Sequence, residues 1–287
     1  MLYKFQDLPG KFSAPGNIGN PLTNIRPMIP PPEQGDHRQL LNALGYPFSG
    51  FADAPFRTTR ISRTWAELRA AGLFSALDLA CFRTGATAGS LIDFVPGGAA
   101  AAVVSGGGVI YDHGIKTVAA NSSFLTLYGG SQPIRSQYSL NSACVWAWLE
   151  DAGAANTHSD TFLFGNSGGT NLRLAPWFGG SSGSNAIGRI NGTSQVVGSR
   201  SGLARTGFWL LQRVSATRVE LYHNDDLIAS SDANPSTAIS DQIWLGRNAA
   251  TYNDWGLSSF GFGRALNADE RAALLRIARG HRNVVTS

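Results

Sequence analysis

This amino-acid sequence predicts an all-β fold, a sandwich of antiparallel sheets with a helix near each end. Three observations carry that prediction. Gly207 to Asp232, GFWLLQRVSATRVELYHNDDLIASSD, holds three short runs separated by Ser215-Ala216-Thr217 and Asn224-Asp225-Asp226. Period-two patterning between turn-forming residues marks an antiparallel meander. Ala186 to Ile190 and Thr193 to Val197 flank Asn191-Gly192, a pair that tolerates the positive φ of a type I′ hairpin. Glycine is plentiful (34) and charged residues scarce (15%), a balance that suits strands and turns better than a helical bundle.

The 287 residues suffice for one large β domain with extra segments, or for two small domains. No stretch approaches the roughly 18 continuous apolar residues of a membrane span. Met1-Leu2-Tyr3-Lys4-Phe5 lacks the basic start and apolar core of a secretory leader, so none is expected. The formal charge is +4, carried mostly by scattered arginines, whereas nucleic-acid binders cluster theirs. The densest group, Arg57 to Arg63, reads either as a phosphate-binding patch or as a solvated approach to a helix. Cys81 and Cys144 both fall in apolar strand-like runs, where a lone cysteine is usually a small buried hydrophobe. Whether they pair is not decided by sequence, and no zinc-ligand spacing occurs.

In chain order, residues 1–60 stand apart. Pro21, Pro27, Pro30, Pro31 and Pro32 exclude a central strand or helix, while Phe5, Phe12, Ile18, Ile25 and Met28 are more apolar than a linker needs. The expectation is an extended attachment arm, with a short helix at His37 to Leu44 stopped by Gly45. Residues 61–83 form a helix–strand connector. Thr64-Trp65-Ala66-Glu67 has the form of a capping box opening a helix that ends near Gly72, and Leu77 to Phe82 is a strand. Residues 84–287 are the sandwich. Gly97 to Gly108, almost wholly Ala, Val and Gly, reads as a loop or weak edge strand. Ser123 to Tyr128, Ala143 to Leu149, Thr161 to Phe164, Leu172 to Leu174, Gln242 to Gly246 and Ser258 to Phe262 are further strands. Asn267 and Glu270 cap a final helix over 268–279, with Gly280 as its stop.

The meander, followed by IWLGRNA and FGFGRALNADERAALLRIA, resembles the laminin G-like branch of the concanavalin A-like lectin and glucanase superfamily. The upstream TWAELRAAGLFSALDLACF is similar to the lead-in of laminin G-like proteins of tailed phages and prophages. The resemblance covers roughly Thr64 to Val285. It implies a jelly-roll-like sandwich whose members bind carbohydrate or protein, serve as structural modules, or in a minority hydrolyse glycans. In this chain Asn224-Asp225-Asp226 replaces the commoner Asp-Gly turn, at which relatives place calcium.

Glycan hydrolysis needs two carboxylates flanking the scissile bond. Glu220 is alone on its strand and Glu150-Asp151 would point to opposite faces, so no enzyme is expected. Gly179 to Gly183 matches G-x-S-x-G formally, but Ser, Gly and Asn follow where a nucleophile elbow needs a helix. Calcium has two candidate turns, Asp225-Asp226 and Asp254, which read equally as plain turn chemistry. Sugar binding asks for aromatic faces beside amides. Trp177, Tyr252 and Trp255, with Asn253, are the candidates, while Trp146, Trp148, Trp209 and Trp244 lie in strands and are mostly assigned to the core. Asn121 and Asn191 match glycosylation acceptors that a phage product would not use.

The function expected is that of a non-enzymatic virion component of a tailed phage: capsid decoration, head spike, or tail fibre or tip. Its arm would hold other virion proteins, and its sandwich, as a homo-oligomer, would either engage host-surface polysaccharide or simply pack with its copies. No nucleic acid and no membrane insertion are expected. A bacterial carbohydrate-binding lectin-like module is the alternative, and a glycoside hydrolase a third reading.

Overall fold

A computed structural model describes residues 54–82, 93–96, 103–105, 109–111, 114–117, 122, 124–128, 137–151, 162–169, 171–178, 185–199, 204, 206–238, 242–249 and 251–283. Helix α1 (Ala54–Ala70) leads through a 3-10 turn (Leu73–Ser75) into β1 (Leu77–Phe82). Next come β2 (Val103–Ser105), β3 (Val109–Tyr111), β4 (Gly114–Thr117), β5 (Phe124–Tyr128) and β6 (Ala143–Asp151). β7 (Phe164–Gly165), β8 (Leu172–Phe178), β9 (Asn185–Ile190) and β10 (Val196–Ser199) follow. The meander is β11 (Gly207–Arg213), β12 (Val219–His223) and β13 (Asp226–Ser231). β14 (Ile243–Leu245), the small pair β15 (Arg247–Asn248) and β16 (Thr251–Tyr252), β17 (Trp255–Gly263) and α2 (Ala268–Asn283) complete the chain.

The strands form two antiparallel sheets. One has eight strands in the order β13-β12-β11-β6-β17-β4-β3, with β1 pairing the far half of β17. The other has seven, in the order β10-β9-β8-β7-β14-β5-β2. Alternation sorts the side chains. Val145, Ala147 and Leu149 of β6 meet Leu172, Leu174, Ile243 and Leu245 across the sandwich core, while Cys144, Trp146 and Trp148 point the other way. There the helices close over them, with Ile61, Trp65 and Leu68 from α1 and Leu274 and Ile277 from α2 in one second core. The centre of the eight-stranded sheet is thus buried on both faces, which is why β1, β11 and β12 read as apolar runs with few outward charges, whereas β13 at one edge is largely exposed. Gly261 permits the tight centre of this layer, because a Cβ there would overlap the Leu79 carbonyl and come 2.8 Å from the Trp146 ring.

Several local expectations need correction. The first helix begins at Ala54, ahead of the predicted start, so the boundary at residue 60 falls inside it. Thr64 is therefore no cap. Its hydroxyl hydrogen-bonds His281 Nδ1 at 2.8 Å, tying α1 to α2, while Glu67 pairs with Arg63 and Arg276. Tertiary packing supplied a partner that the local motif did not need. The second capping box is real: Glu270 N–H donates to Asn267 Oδ1 and Asn267 N–H to Glu270 Oε2, each at 2.9 Å. Gly280 does not stop that helix, which runs to Asn283. Asn191-Gly192 opens a longer connection than a two-residue hairpin, since the first ladder pair is Gly188 with Val196. Asn191 has a φ of 47° and a fully buried side chain that accepts from Tyr138 Oη at 2.8 Å. The low-complexity piece does supply an edge strand, β2. Cys81 and Cys144 are free thiols, buried on opposite sides of the eight-stranded sheet. The predicted helix at His37 to Leu44, the Gly179 to Gly183 motif and nearly all of the proline-rich arm lie outside the described residues.

Candidate functional site

With the centre of one sheet closed on both sides, the outward face of the seven-stranded sheet is the candidate surface for recognition among the described residues. Its register puts Arg189 (β9) opposite Arg173 (β8), Arg173 opposite Gly165 (β7), Gly165 opposite Trp244 (β14), and Trp244 opposite Thr126 (β5). All five point away from the core, because their strand neighbours Ile190, Leu174, Phe164, Leu245 and Leu125 point into it. Arg173, Arg189 and Thr126 are partly exposed, whereas Ile187, Ala175 and Phe162 close into a small satellite cluster beside them.

The β15–β16 hairpin folds over the middle of this row. Gly165 makes that possible: a Cβ there would lie 2.5 Å from the Arg247 carbonyl and 2.6 Å from Asn248 Cβ. The hairpin delivers Arg247, whose guanidinium carbon sits 4.2 Å from the Trp244 ring centroid, 4.5 Å from Phe124 and 4.9 Å from Tyr252. Its Nε donates to the Ala249 carbonyl at 2.8 Å, which fixes the fork on that aromatic bed. Arg173 repeats the arrangement over Phe162 at 4.4 Å. Arg189 Nη1 reaches the Gly169 carbonyl at 3.5 Å, and partial burial pushes its guanidinium below the usual arginine range. Each of these four rings therefore has a guanidinium against it, an attraction of roughly 0.5–2 kcal/mol per contact according to desolvation.

The residues singled out from sequence divide. Tyr252 belongs to the Arg247 cluster. Trp177 lies at the end of β8, in the same sheet. Trp255 and Asn253 are structural, 1% and 4% exposed, and present no face to a ligand. Together they grip one residue: Phe162 N–H donates to Asn253 Oδ1, and Trp255 Nε1 donates to the Phe162 carbonyl, both at 2.6 Å. Their part is to hold the ring under Arg173. The sequence reading missed Phe162, Arg173, Arg189 and Arg247, and placed Trp244 among residues mostly assigned to the core. The signal for Trp244 was present in Ile243-Trp244-Leu245, where inward Ile and Leu send the indole outward.

Asp225 and Asp226 are exposed at the β12–β13 turn, beside Asn224 with a φ of 55°. Asp254 stands at the same end of the eight-stranded sheet, but β12, β11, β6 and β17 separate the two turns. At about 4.8 Å per strand that is roughly 14 Å. No group of three or more His, Cys, Asp or Glu converges among the described residues, and the two turns do not pool their carboxylates around one ion, as calcium with its several converging oxygens would ask. Glu220 is engaged within the fold, accepting from Gln212 and Tyr222 at 2.8 Å each and from Arg218 at 2.7 Å. Of the Arg57 to Arg63 group, Arg63 pairs with Glu67 at 2.7 Å on the helix surface. Among the described residues no helix is long and apolar enough to cross a membrane.

No protein-family model matches the chain, and no curated protein matches its sequence. Solved structures do match in fold. The binding domain of botulinum neurotoxin DC in complex with SialylT superposes with a TM-score of 0.52 at 14% identity, over 71% of this chain and 52% of that one. The same binding domain in complex with rat synaptotagmin II gives 0.51 at 13%, with the same coverage. Domain 4 of AbnA, a GH43 extracellular arabinanase from Geobacillus stearothermophilus, in complex with arabinotriose, gives 0.42 at 16%, over 70% and 98%. The chain spans about half the length of the neurotoxin domains it matches. At such identities the likeness to the neurotoxin domains is one of fold alone, a β-sandwich.

Proposed function

We propose that this chain is a non-enzymatic carbohydrate-binding sandwich that engages glycans on the outward face of its seven-stranded sheet. The observation that carries the reading is the row Arg189–Arg173–Gly165–Trp244–Thr126 with the β15–β16 hairpin folded onto it. Fixed planar groups and hydrogen-bonding side chains such as the partly exposed Thr126 suit the flat, hydroxyl-rich surface of a sugar. A neurotoxin binding domain of this fold is known in complex with SialylT, which supports the reading by analogy of fold alone. The absence of catalysis is part of the proposal: Glu220, the isolated strand carboxylate, already accepts three hydrogen bonds.

Glycan-array binding by the intact chain, followed by chromatography of the incubated glycans, tests it. Retention of a defined glycan subset with unchanged glycan length is expected. Shortened products, or no retention on any glycan, would overturn it.

Display on a particle is supported by a separate observation, the similarity of Thr64 to Phe82 to the lead-in of tailed-phage laminin G-like proteins. In this reading the chain is a virion protein, homo-oligomeric and exposed on the particle surface, anchored to other virion proteins by its proline-rich arm. Deleting residues 1–53 spares α1 and is expected to abolish particle association. Full occupancy of particles by that deletion would refute the anchoring role.

A further inference from the structure

The two helices carry the net positive charge of this chain. Together α1 and α2 hold eight arginines and three carboxylates, a balance of five positive charges against four for the whole sequence. They run antiparallel: Thr64 meets His281, Glu67 meets Arg276, and Ala70 and Ala71 share a groove with Asn267 and Asp269. That arrangement sorts the charge into two poles. The first ten residues of α1 and the last eight of α2 hold six arginines and no carboxylate. Glu67, Asp269 and Glu270 all lie toward the other end, where Arg69 is drawn onto the Trp65 ring and Arg271 onto the Tyr222 ring. Compensation of helix dipoles does not explain this sorting, since it favours acids early in a helix and bases late. α2 obeys that rule, but α1 has no acid in its first turn and sets Arg57, Arg60 and Arg63 in its N-terminal half.

At the acidic pole lies a groove of about 450 Å³, lined by Glu67, Asp269 and Glu270 with Ala70, Ala71 and Ala273. Arg63 and Arg276, the latter also in the lining, reach Glu67 at 2.7 Å and 3.5 Å, and Arg264 holds Glu270 at 2.6 Å. Asp269 is exposed, and among the described residues no ion pair holds it. Arg279, exposed and equally unpaired, is its counterpart at the basic pole. Along α2 the two stand about 15 Å apart, beyond each other's reach. Between the poles the exposed side chains include Ala66, Ala70 and Ala272, which leave room for a facing helix to approach.

Resting on the homo-oligomeric reading, we infer that the α1–α2 face is where two copies of this chain meet, Arg279 of each seated in the groove of the other against Asp269. A two-fold axis across the helices lays basic pole on acidic pole twice over, a self-complementary contact whose register is fixed by charge. The seven-stranded sheets, on the far side of each sandwich, then face outward from the pair.

Sedimentation velocity of the full chain over a concentration series tests it. Self-association is expected, and it weakens several-fold from low to high sodium chloride as exposed pairs are screened. Asp269→Arg and Arg279→Asp are each expected to weaken it at least about tenfold, because each sets like charges together at two places. The two substitutions in one chain are expected to restore it to near the parent value. Asp225→Arg, the same charge change at the β12–β13 turn, is expected to leave it unaltered. A chain that stays monomeric at every concentration would overturn the homo-oligomeric reading and this inference together. Association undiminished in both single variants would overturn this inference alone, as would a double variant no stronger than the singles or an equal loss in Asp225→Arg. The salt series needs no substitution, so a poorly folding variant does not remove the test: association indifferent to salt overturns the charged interface.

Discussion

Trp255 Nε1 donates to the carbonyl of Phe162 at 2.6 Å, and two residues earlier Asn253 Oδ1 accepts the Phe162 N–H at the same distance. The start of β17 thereby clamps both polar groups of the residue whose ring lies under Arg173. Trp255→Phe keeps most of the buried ring and removes the donor. A buried carbonyl left unpartnered costs about 1–3 kcal/mol, so a lower urea midpoint with an unchanged m-value is expected. Because Phe162 is loosened, retention on the glycans that the parent chain binds is expected to weaken several-fold. Unchanged stability in urea titration would show that this clamp carries no energy.

Arg213 is fully buried and holds the end of the meander through the backbone oxygens of Ile190 and Asn234 and the Asn234 side chain. Its Nε donates to the Ile190 carbonyl at 2.8 Å, its Nη1 to the Asn234 carbonyl at 2.7 Å and its Nη2 to Asn234 Oδ1 at 3.0 Å. Burial pushes this guanidinium below its usual range. Arg213→Met strands several carbonyl acceptors at once and is expected to cost about 3–5 kcal/mol. Chemical denaturation checks the value, and a loss under 1 kcal/mol would contradict this account.

Two carboxylates contribute to the acid sensitivity of the fold. Burial works to raise Glu220, but hydrogen bonds from Gln212, Arg218 and Tyr222 and the Arg218 charge outweigh it and hold the carboxyl below the usual glutamate range. Glu270 is held low by its hydrogen bond from Arg264, against burial, with help from the Asn267 amide. For groups depressed on folding, the stabilisation is complete above the unfolded value, about 4.3. It drains away as pH falls through the lower folded values. Thermal melts from pH 6 to pH 3 are expected to show a drop below pH 4.5 that is shallower in the Glu220→Gln, Glu270→Gln double variant. Parallel curves for the two proteins would refute the assignment.

The fold was legible in the chain because period-two patterns and turn residues act locally. The meander, the Asn267–Glu270 cap and the edge strand in the alanine- and glycine-rich piece all rest on residues a few positions apart. Thr64 misled for the opposite reason: its partner His281 is 217 positions away, and the local capping motif carried no trace of it. The site was less legible still. Arg173 and Arg247 reach the same sheet face only through the lateral order of β8, β7 and β14, which no local pattern encodes. Trp255 looked like a loop aromatic because the turn before it is polar, but β17 begins at that residue and carries the ring inside.

The two-sided burial of the eight-stranded sheet separates inheritance of shape from inheritance of specificity. Residues that fix the shape answer to the two cores, so a change in any one of them is felt by many neighbours. Positions such as Arg189, Arg173 and Thr126 hang on the far side of a sheet whose inner face is already complete. A lineage carrying this scaffold can exchange them one at a time and follow a changing surface chemistry in its target without refounding the fold beneath.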